Sequence, residues 1–231
     1  MSFWELNWQT PGHPARTRRD IQIRILVPLL IALAWYLITF LVLPPSKILI
    51  LGGLIIAYFV PPSGKESIIP LGVALGVPWW LMAATLAILD VLTALFMILN
   101  FGLVLKLPRL GPWVARFLAS GKEFMAQRPW ISRWRVLGVA FFVFLPLQGT
   151  GGVGATLVGF MVGLTPPEIL IAVAIGGSLE ALTFALGSEI IWNLILTNLA
   201  LGLAVAAAVI LSAVIMFLLF RKERGKDGAY D

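Results

Sequence analysis

The chain contains no cysteine, a single histidine and few charges; Asp, Glu, Lys and Arg together make up 12% of its 231 residues. Without cysteine there is no disulfide framework, no thiolate metal site and no cysteine nucleophile. The one histidine, His13, lies in a polar N-terminal stretch, where it reads as a solvated side chain rather than a ligand. No Ser-His-acid set and no metal-ligand cluster can be assembled in the apolar part of the chain, so neither an enzyme, a metal centre nor an organic cofactor is expected. The shortage of charge excludes an ordinary soluble domain, which carries about a quarter charged residues, and no nucleic-acid partner is expected. With 60% hydrophobic residues arranged in long runs, the sequence describes an all-α integral membrane protein.

The first 24 residues are polar, with Arg16, Arg18, Arg19 and Arg24. The apolar run that follows is too long for a signal-peptide core and is expected to be a retained first helix. Four runs are long enough to cross a bilayer, at about Ile25–Leu43, Pro78–Leu105, Pro166–Ser188 and Asn193–Phe220. Two others are short. Ile48–Val60 ends at Pro61-Pro62, and Val136–Leu147 ends at "QGTGGVG"; each is followed by a second short arm, Ser67–Val77 and Val153–Leu164. Segments of this length suggest re-entrant hairpins, whose irregular tips must be buried in protein or line a wet cavity. The expected organisation is a single membrane domain over 25–220: repeat one at 48–105, a basic linker at 106–135, repeat two at 136–188 and a last helix at 193–220. A tail over 221–231 follows.

The basic residues orient this arrangement. With four crossings and two hairpins, both termini and the linker fall on one side, which then holds every Lys and Arg except Lys47 and Lys65. The positive-inside rule makes that side cytoplasmic, and the expected location is the plasma membrane. A six-span arrangement leaves the same loops on the same side, so charge bias does not distinguish the two. Within the linker, Trp113, Val114, Phe117, Leu118, Phe124 and Met125 share one helical face, opposite Arg116, Lys122, Glu123 and Gln127. That pattern predicts an interfacial helix whose partners are membrane lipids. Trp130 and Trp134, near Arg133 and Arg135, suit the headgroup belt.

"PLGVALGVPWW" and "LVGFMVGLTPP" align at an offset of 87, matching Gly72 with Gly159 and Gly76 with Gly163. Each copy runs hairpin, G-x-x-x-G arm, long helix, which predicts an inverted-topology repeat of the kind that builds secondary transporters. The four glycines are assigned to close helix packing. Lys65, Glu66, Asp90 and Glu180 lie in the apolar region, where ionisable groups mark ion or substrate paths. Lys65 and Glu66 are expected to pair at the first tip. Residue 180 less 87 is 93, one turn from Asp90, so Asp90 and Glu180 are expected to converge and, with Glu66, to carry or relay a proton. Glu168 and Glu189, near helix ends, read as interfacial. The second tip offers Gly149, Thr150, Gly151 and Gly152, whose N–H groups suit an anion, without the spacing or lysine of a nucleotide loop.

The segments "PPSGKESIIPLGVALGVP" and "FLPLQGTGGVGATLVGFMVGL" resemble the two hairpin signatures of the small multi-drug export protein family, itself similar to the DedA/SNARE-associated (VTT) membrane proteins. Ile69-Pro70, Pro146-Leu147, Gly149-Thr150-Gly151 and Gly154-Ala155 carry the match. Gly64 and Glu66 depart from the family's glutamate and arginine, leaving Lys65 to supply the cation, and Gln148 replaces a proline. The resemblance implies two re-entrant hairpins in an inverted repeat and export of small toxic compounds. For the DedA relatives it implies proton-linked movement of lipid phosphates, or lipid scrambling. The expected function is a proton- or ion-coupled transporter, with H+ or Na+ as coupling ion, acting on a small amphipathic or lipid-phosphate substrate. A channel-like pore or scramblase is the alternative, a lipid-phosphate enzyme the weakest reading, and assembly into a homo-oligomer is left open.

Overall fold

The structure is a computed structural model that describes residues 18–60, 63–106, 108, 110–126, 134–146 and 149–227. His13, Pro61-Pro62, Arg109, Gln127, Arg128, Trp130, Arg133, Leu147 and Gln148 lie outside the described residues. So do the side chains of Lys122, Glu123, Phe124, Met125 and the C-terminal basic residues.

The described elements are all helices: α1 (Arg18–Thr39), α2 (Pro45–Tyr58), α3 (Lys65–Ala74), α4 (Trp79–Val104), α5 (Leu110–Ala126), α6 (Arg135–Phe144), α7 (Gly152–Met161), α8 (Pro166–Thr197) and α9 (Leu199–Asp227). Prolines set several starts. Pro45 and Pro166 occupy the first helical turn, where a missing N–H costs nothing. At α8 the Thr165 N–H and hydroxyl both donate to the Glu168 carboxylate, at 2.7 and 2.8 Å, which fixes the entry of the chain into the helix. Pro28 sits inside α1 and removes the N–H that would bond the Arg24 carbonyl. The Asn100 side-chain amide of α4 donates to that carbonyl at 3.3 Å, tying α1 to α4.

Among the described residues three helices are long and apolar enough to cross a membrane: α1 over Gln22–Thr39, α4 and α8. The outward faces of α1 and α9 are covered with exposed Leu, Ile and Val, as expected where lipid is the solvent. α5 forms within the basic linker, with Val114 buried, and Trp113 stacks on Phe117 at 5.7 Å between centroids.

Two boundaries differ from expectation. The first helix ends at Thr39 and Phe40–Leu43 form a turn, so the chain is redirected before the Pro44-Pro45 pair. The third long helix was expected to stop at Ser188, but α8 runs 32 residues to Thr197. At 1.5 Å per residue that is roughly 48 Å, well beyond a bilayer core of about 30 Å. Ser188 and Glu189 do not break it, because their polar groups are satisfied along the helix. The Ser188 hydroxyl donates to Phe184 O, and Asn193 Nδ2 donates to Glu189 Oε1. The break comes at Asn198, which adopts extended dihedrals and whose side-chain oxygen accepts the Leu201 N–H at 3.1 Å, opening α9 as an N-cap.

The second helices of the two short-helix pairs, α3 of α2–α3 and α7 of α6–α7, share local structure residue by residue. α3 and α7 each have ten residues and end in the same way. Gly76 N–H bonds Val73 O and Val77 N–H bonds Gly72 O; 87 residues later, Gly163 N–H bonds Phe160 O and Leu164 N–H bonds Gly159 O. This six-to-one, five-to-two pattern requires a left-handed residue, and Gly76 and Gly163 have φ of 78° and 76°. They are therefore C-terminal caps rather than packing residues. Packing falls to their partners: a Cβ on Gly72 would strike Met82, and one on Gly159 would strike Ile169, again 87 apart. Each cap carries a cation from the start of the preceding helix. Lys47 donates to Leu75 O, and Arg135 donates to Val162 O and Gly163 O at 3.2 and 3.0 Å. Both place positive charge on free carbonyls at the negative end of a helix.

Two apolar clusters flank the centre. One joins α2 and α3 to the first half of α4 and to Ala181 and Ala185 of α8. The other joins α6 and α7 to Ala94 and Ile98 of α4 and to the first half of α8. The first half of α4 thus meets the second half of α8 and the reverse, so these helices cross antiparallel. At the crossing Gly177 lies on Asp90: a Cβ there would be 3.0 Å from Asp90 Oδ2.

Candidate functional site

The sequence places Lys65 as the first residue of α3, directly after the first tip, which points its side chain back over the tip and into the α4–α8 crossing. The Lys65 side chain is 4% exposed, and its ammonium lies between two carboxylates. It donates to Asp90 Oδ2 of α4 at 2.5 Å and to Glu180 Oε2 of α8. Asp90 is fully buried and Glu180 is 2% exposed. Asp90 uses its second oxygen to accept the Tyr58 hydroxyl from the end of α2, at 2.5 Å. One cation thus holds two acids from two long helices, and a tyrosine fixes the orientation of one of them. Among the described residues no buried polar side-chain atom lacks a partner, as a buried charged site requires.

Glu66 is placed differently from expectation. No ion pair joins it to Lys65; the Lys65 partners are Asp90 and Glu180. Adjacent residues on a helix point about 100° apart and do not face one another. Glu66 is exposed and folds back over the N-terminus of α3, with its carboxylate against Gly64.

The second tip closes the site from the other side. Gly149 has φ of 91°, and the Thr150 hydroxyl donates to Leu145 O at 3.0 Å, so the chain turns back as soon as α6 ends. α7 then starts at Gly152 with its N-terminus directed at Asp90. A Cβ on Gly151 would be 2.9 Å from Asp90 Oδ1, and one on Gly152 would strike the Asp90 backbone carbonyl and lie 2.7 Å from Ala94 N. Glycine is needed here because α7 meets the backbone of α4. Between the tips lies a cavity of about 460 Å3, lined by Tyr58, Phe59, Lys65, Glu66, Glu180 and the Gly149–Gly154 tip, with Ser63, Gly64 and Thr93 completing the wall.

Of the residues singled out in the sequence, the structure brings Lys65, Asp90 and Glu180 into one ion-paired group. Glu66, Gly149, Thr150, Gly151 and Gly152 line the same cavity, and Gly72, Gly76, Gly159 and Gly163 lie in the arms away from it. Two site residues were not singled out. Tyr58 is one of three tyrosines in the chain and sits inside an apolar arm, where a buried hydroxyl requires a partner. Gly177 is the counterpart of Asp90 at the 87-residue offset, so the alignment already contained it.

Fold and site together define an all-helical membrane protein with an internal charged centre. The family described as "Putative small multi-drug export protein" matches residues 67–183, just over half of the chain, and the chain belongs to that family. The matched span includes Asp90, the second tip and Glu180, and begins two residues after Lys65. No curated protein and no solved structure matches the chain.

Proposed function

We propose that the protein is a proton- or ion-coupled secondary transporter that exports or flips a small amphipathic substrate through the cavity between the two tips. The observation that carries this reading is the single ammonium of Lys65 shared by Asp90 and Glu180 where two short-helix tips meet. A proton on either carboxylate removes one of the two counter-charges of Lys65. The ammonium then follows the remaining acid, which shifts α3 relative to α4 or α8. Binding of H+ or Na+ is thereby linked to the position of a tip that walls the cavity.

An inverted repeat of two re-entrant hairpins is the topology that suits this mechanism. It is supported by the matched glycine caps, the matched Lys47 and Arg135 contacts and the antiparallel α4–α8 crossing. Substrate sites in such transporters lie at the repeat interface near the midplane, where broken helices end. On this reading the protein sits in the plasma membrane with both termini and α5 cytoplasmic, and it is related to the DedA/VTT proteins.

The test uses proteoliposomes with a pH-sensitive dye inside, challenged with a panel of cationic, anionic and lipid-phosphate amphipaths under an imposed pH gradient. The expected result is saturable proton movement with some member of the panel, lost in Glu180→Gln and Asp90→Asn. No panel member moving protons under a pH gradient and none accumulating under an imposed Na+ gradient, or single-channel currents in a planar bilayer, would overturn the transporter reading.

A further inference from the structure

Resting on the transporter reading, we propose that the substrate is an amphipathic organic cation, and that its charged nitrogen replaces the Lys65 ammonium between Asp90 and Glu180. Lys65 is then a tethered stand-in that keeps the acids satisfied when no substrate is bound.

Three observations converge on this assignment. The first is charge. Among the described residues around the cavity there are three acids, Glu66, Asp90 and Glu180, against one base, Lys65. A phosphate or carboxylate entering would meet a net negative wall, and a cation would meet an attractive one.

The second concerns the features that would otherwise favour an anion, the N-termini of α3 and α7 with their free N–H groups. Both already face carboxylates of the protein. The Glu66 carboxylate folds against Gly64 at the start of α3, and Asp90 Oδ1 lies close to Gly151, just before α7, whereas Gly152 meets the Asp90 backbone carbonyl. The positive ends of the two short helices thus already have a carboxylate of the protein close by, and of the three acids Glu66 and Glu180 line the cavity itself.

The third is the lining. Tyr58 and Phe59 line the same cavity, their rings edge to face at 5.1 Å, beside the carboxylates. Aromatic faces next to acids form the usual surroundings of a bound ammonium or related cation. The cavity volume of about 460 Å3 suits a drug-sized molecule.

Protons and substrate would compete for the same acids. The titratable groups around Lys65 are Asp90 from α4 and Glu180 from α8, which hold its ammonium, Tyr58 from α2, which is bonded to Asp90, and Glu66 on its own helix, which lines the cavity without pairing with it. Among the described residues, α7 and its tip bring no titratable group, only glycines, Thr150 and Val153. Cation affinity therefore falls as pH falls: where one of the acids carries a proton the cation takes its place and that proton leaves, and where both acids are ionised the cation displaces only the Lys65 ammonium.

The experiment compares two ions of nearly equal size and shape, tetraphenylphosphonium and tetraphenylborate. Binding is measured by equilibrium dialysis to the full-length protein in nanodiscs, with empty nanodiscs as the background. The phosphonium should bind saturably above background and the borate should not. Glu180→Gln should weaken phosphonium binding about tenfold or more, the equivalent of one charged contact. Lys65→Met should act in the opposite direction and tighten it, because the internal competitor is gone; a lysine that merely supports the fold would weaken binding when removed. Glu66→Gln, at an exposed position, should weaken binding severalfold and carries the test if a buried variant fails to fold. Borate binding equal to or tighter than phosphonium binding, weaker phosphonium binding in Lys65→Met, or no effect of the acids would overturn the cation assignment. Each of those outcomes leaves the transporter reading standing, since that reading is decided by movement under a pH or Na+ gradient in the liposomes.

Discussion

Replacing Lys65 by methionine removes the one positive charge held by two buried acids. The three side chains are 4%, 0% and 3% exposed, so water does little to screen the loss. Breaking a buried ion group by deleting one partner typically costs about 3–5 kcal/mol, because the remaining charge is stranded. Here two carboxylates are left facing each other, so the upper half of that range applies. For a chain of this size about 1 kcal/mol corresponds to roughly 2–4 °C in melting temperature, which gives a fall of about 8–20 °C for Lys65→Met. Asp90→Asn or Glu180→Gln alone should cost less, since Lys65 keeps one carboxylate in each case. The triple change to Met, Asn and Gln should recover most of the loss, because a neutral set of similar volume needs no counter-charge. The assay is thermal unfolding of purified protein in detergent, followed by tryptophan fluorescence and by the monodisperse fraction after heating. If Lys65→Met melts with the wild type, or the triple variant melts no higher than Lys65→Met, the ammonium does not hold the two long helices together and the reasoning fails. Added tetraphenylphosphonium should raise the melting temperature of Lys65→Met more than that of the wild type, by mass action on the folded state.

Gly152→Ala should abolish a stable fold, because its Cβ would strike the α4 backbone; Gly53→Ala, with nothing within 4 Å, should melt at or slightly above the wild-type temperature in the same assay. Lys47→Ala and Arg135→Ala should each cost about 1 kcal/mol or less, and should speed hydrogen exchange at Gly76–Val77 and Gly163–Leu164 respectively, with no change in the other cap. Because the chain has no cysteine, single cysteines report topology cleanly. Ser46→Cys and Leu75→Cys should both react with an impermeant thiol reagent from outside intact cells, whereas Trp134→Cys, Thr165→Cys and Ser120→Cys should resist it; reaction of either member of a hairpin pair from the opposite side would make that pair of helices a crossing.

The apolar runs, their lengths and their interruptions were legible because lipid imposes one-dimensional rules. A helix must be apolar along about 20 residues to cross, and a proline pair or glycine run is visible wherever it ends one. The 87-residue offset was legible for the same reason. Glycines at caps and contacts cannot drift without collision or strain, so Gly72, Gly76, Gly159 and Gly163 kept their spacing. Their separate roles were not legible, since spacing alone does not separate a left-handed cap at Gly76 from a contact at Gly72. The matching Lys47 and Arg135 were missed because they stand one residue out of register, at an offset of 88.

By itself the sequence determined that the chain is an all-helical membrane protein with two short-helix pairs and a few charged residues it cannot leave unpaired in lipid. The tertiary structure decided which of those charges meet. Sequence adjacency suggested Lys65 with Glu66, but neighbouring residues on a helix diverge. The partners of Lys65 come instead from 25 and 115 residues away, brought in by the antiparallel crossing of α4 and α8. That crossing depends on Gly177 admitting Asp90, and the seat of α7 on α4 depends on Gly152 admitting the α4 backbone, contacts between surfaces remote in the chain. Side-chain type and order record what each helix can bury. Which helix it is buried against follows from shape, and shape exists only once the helices have packed.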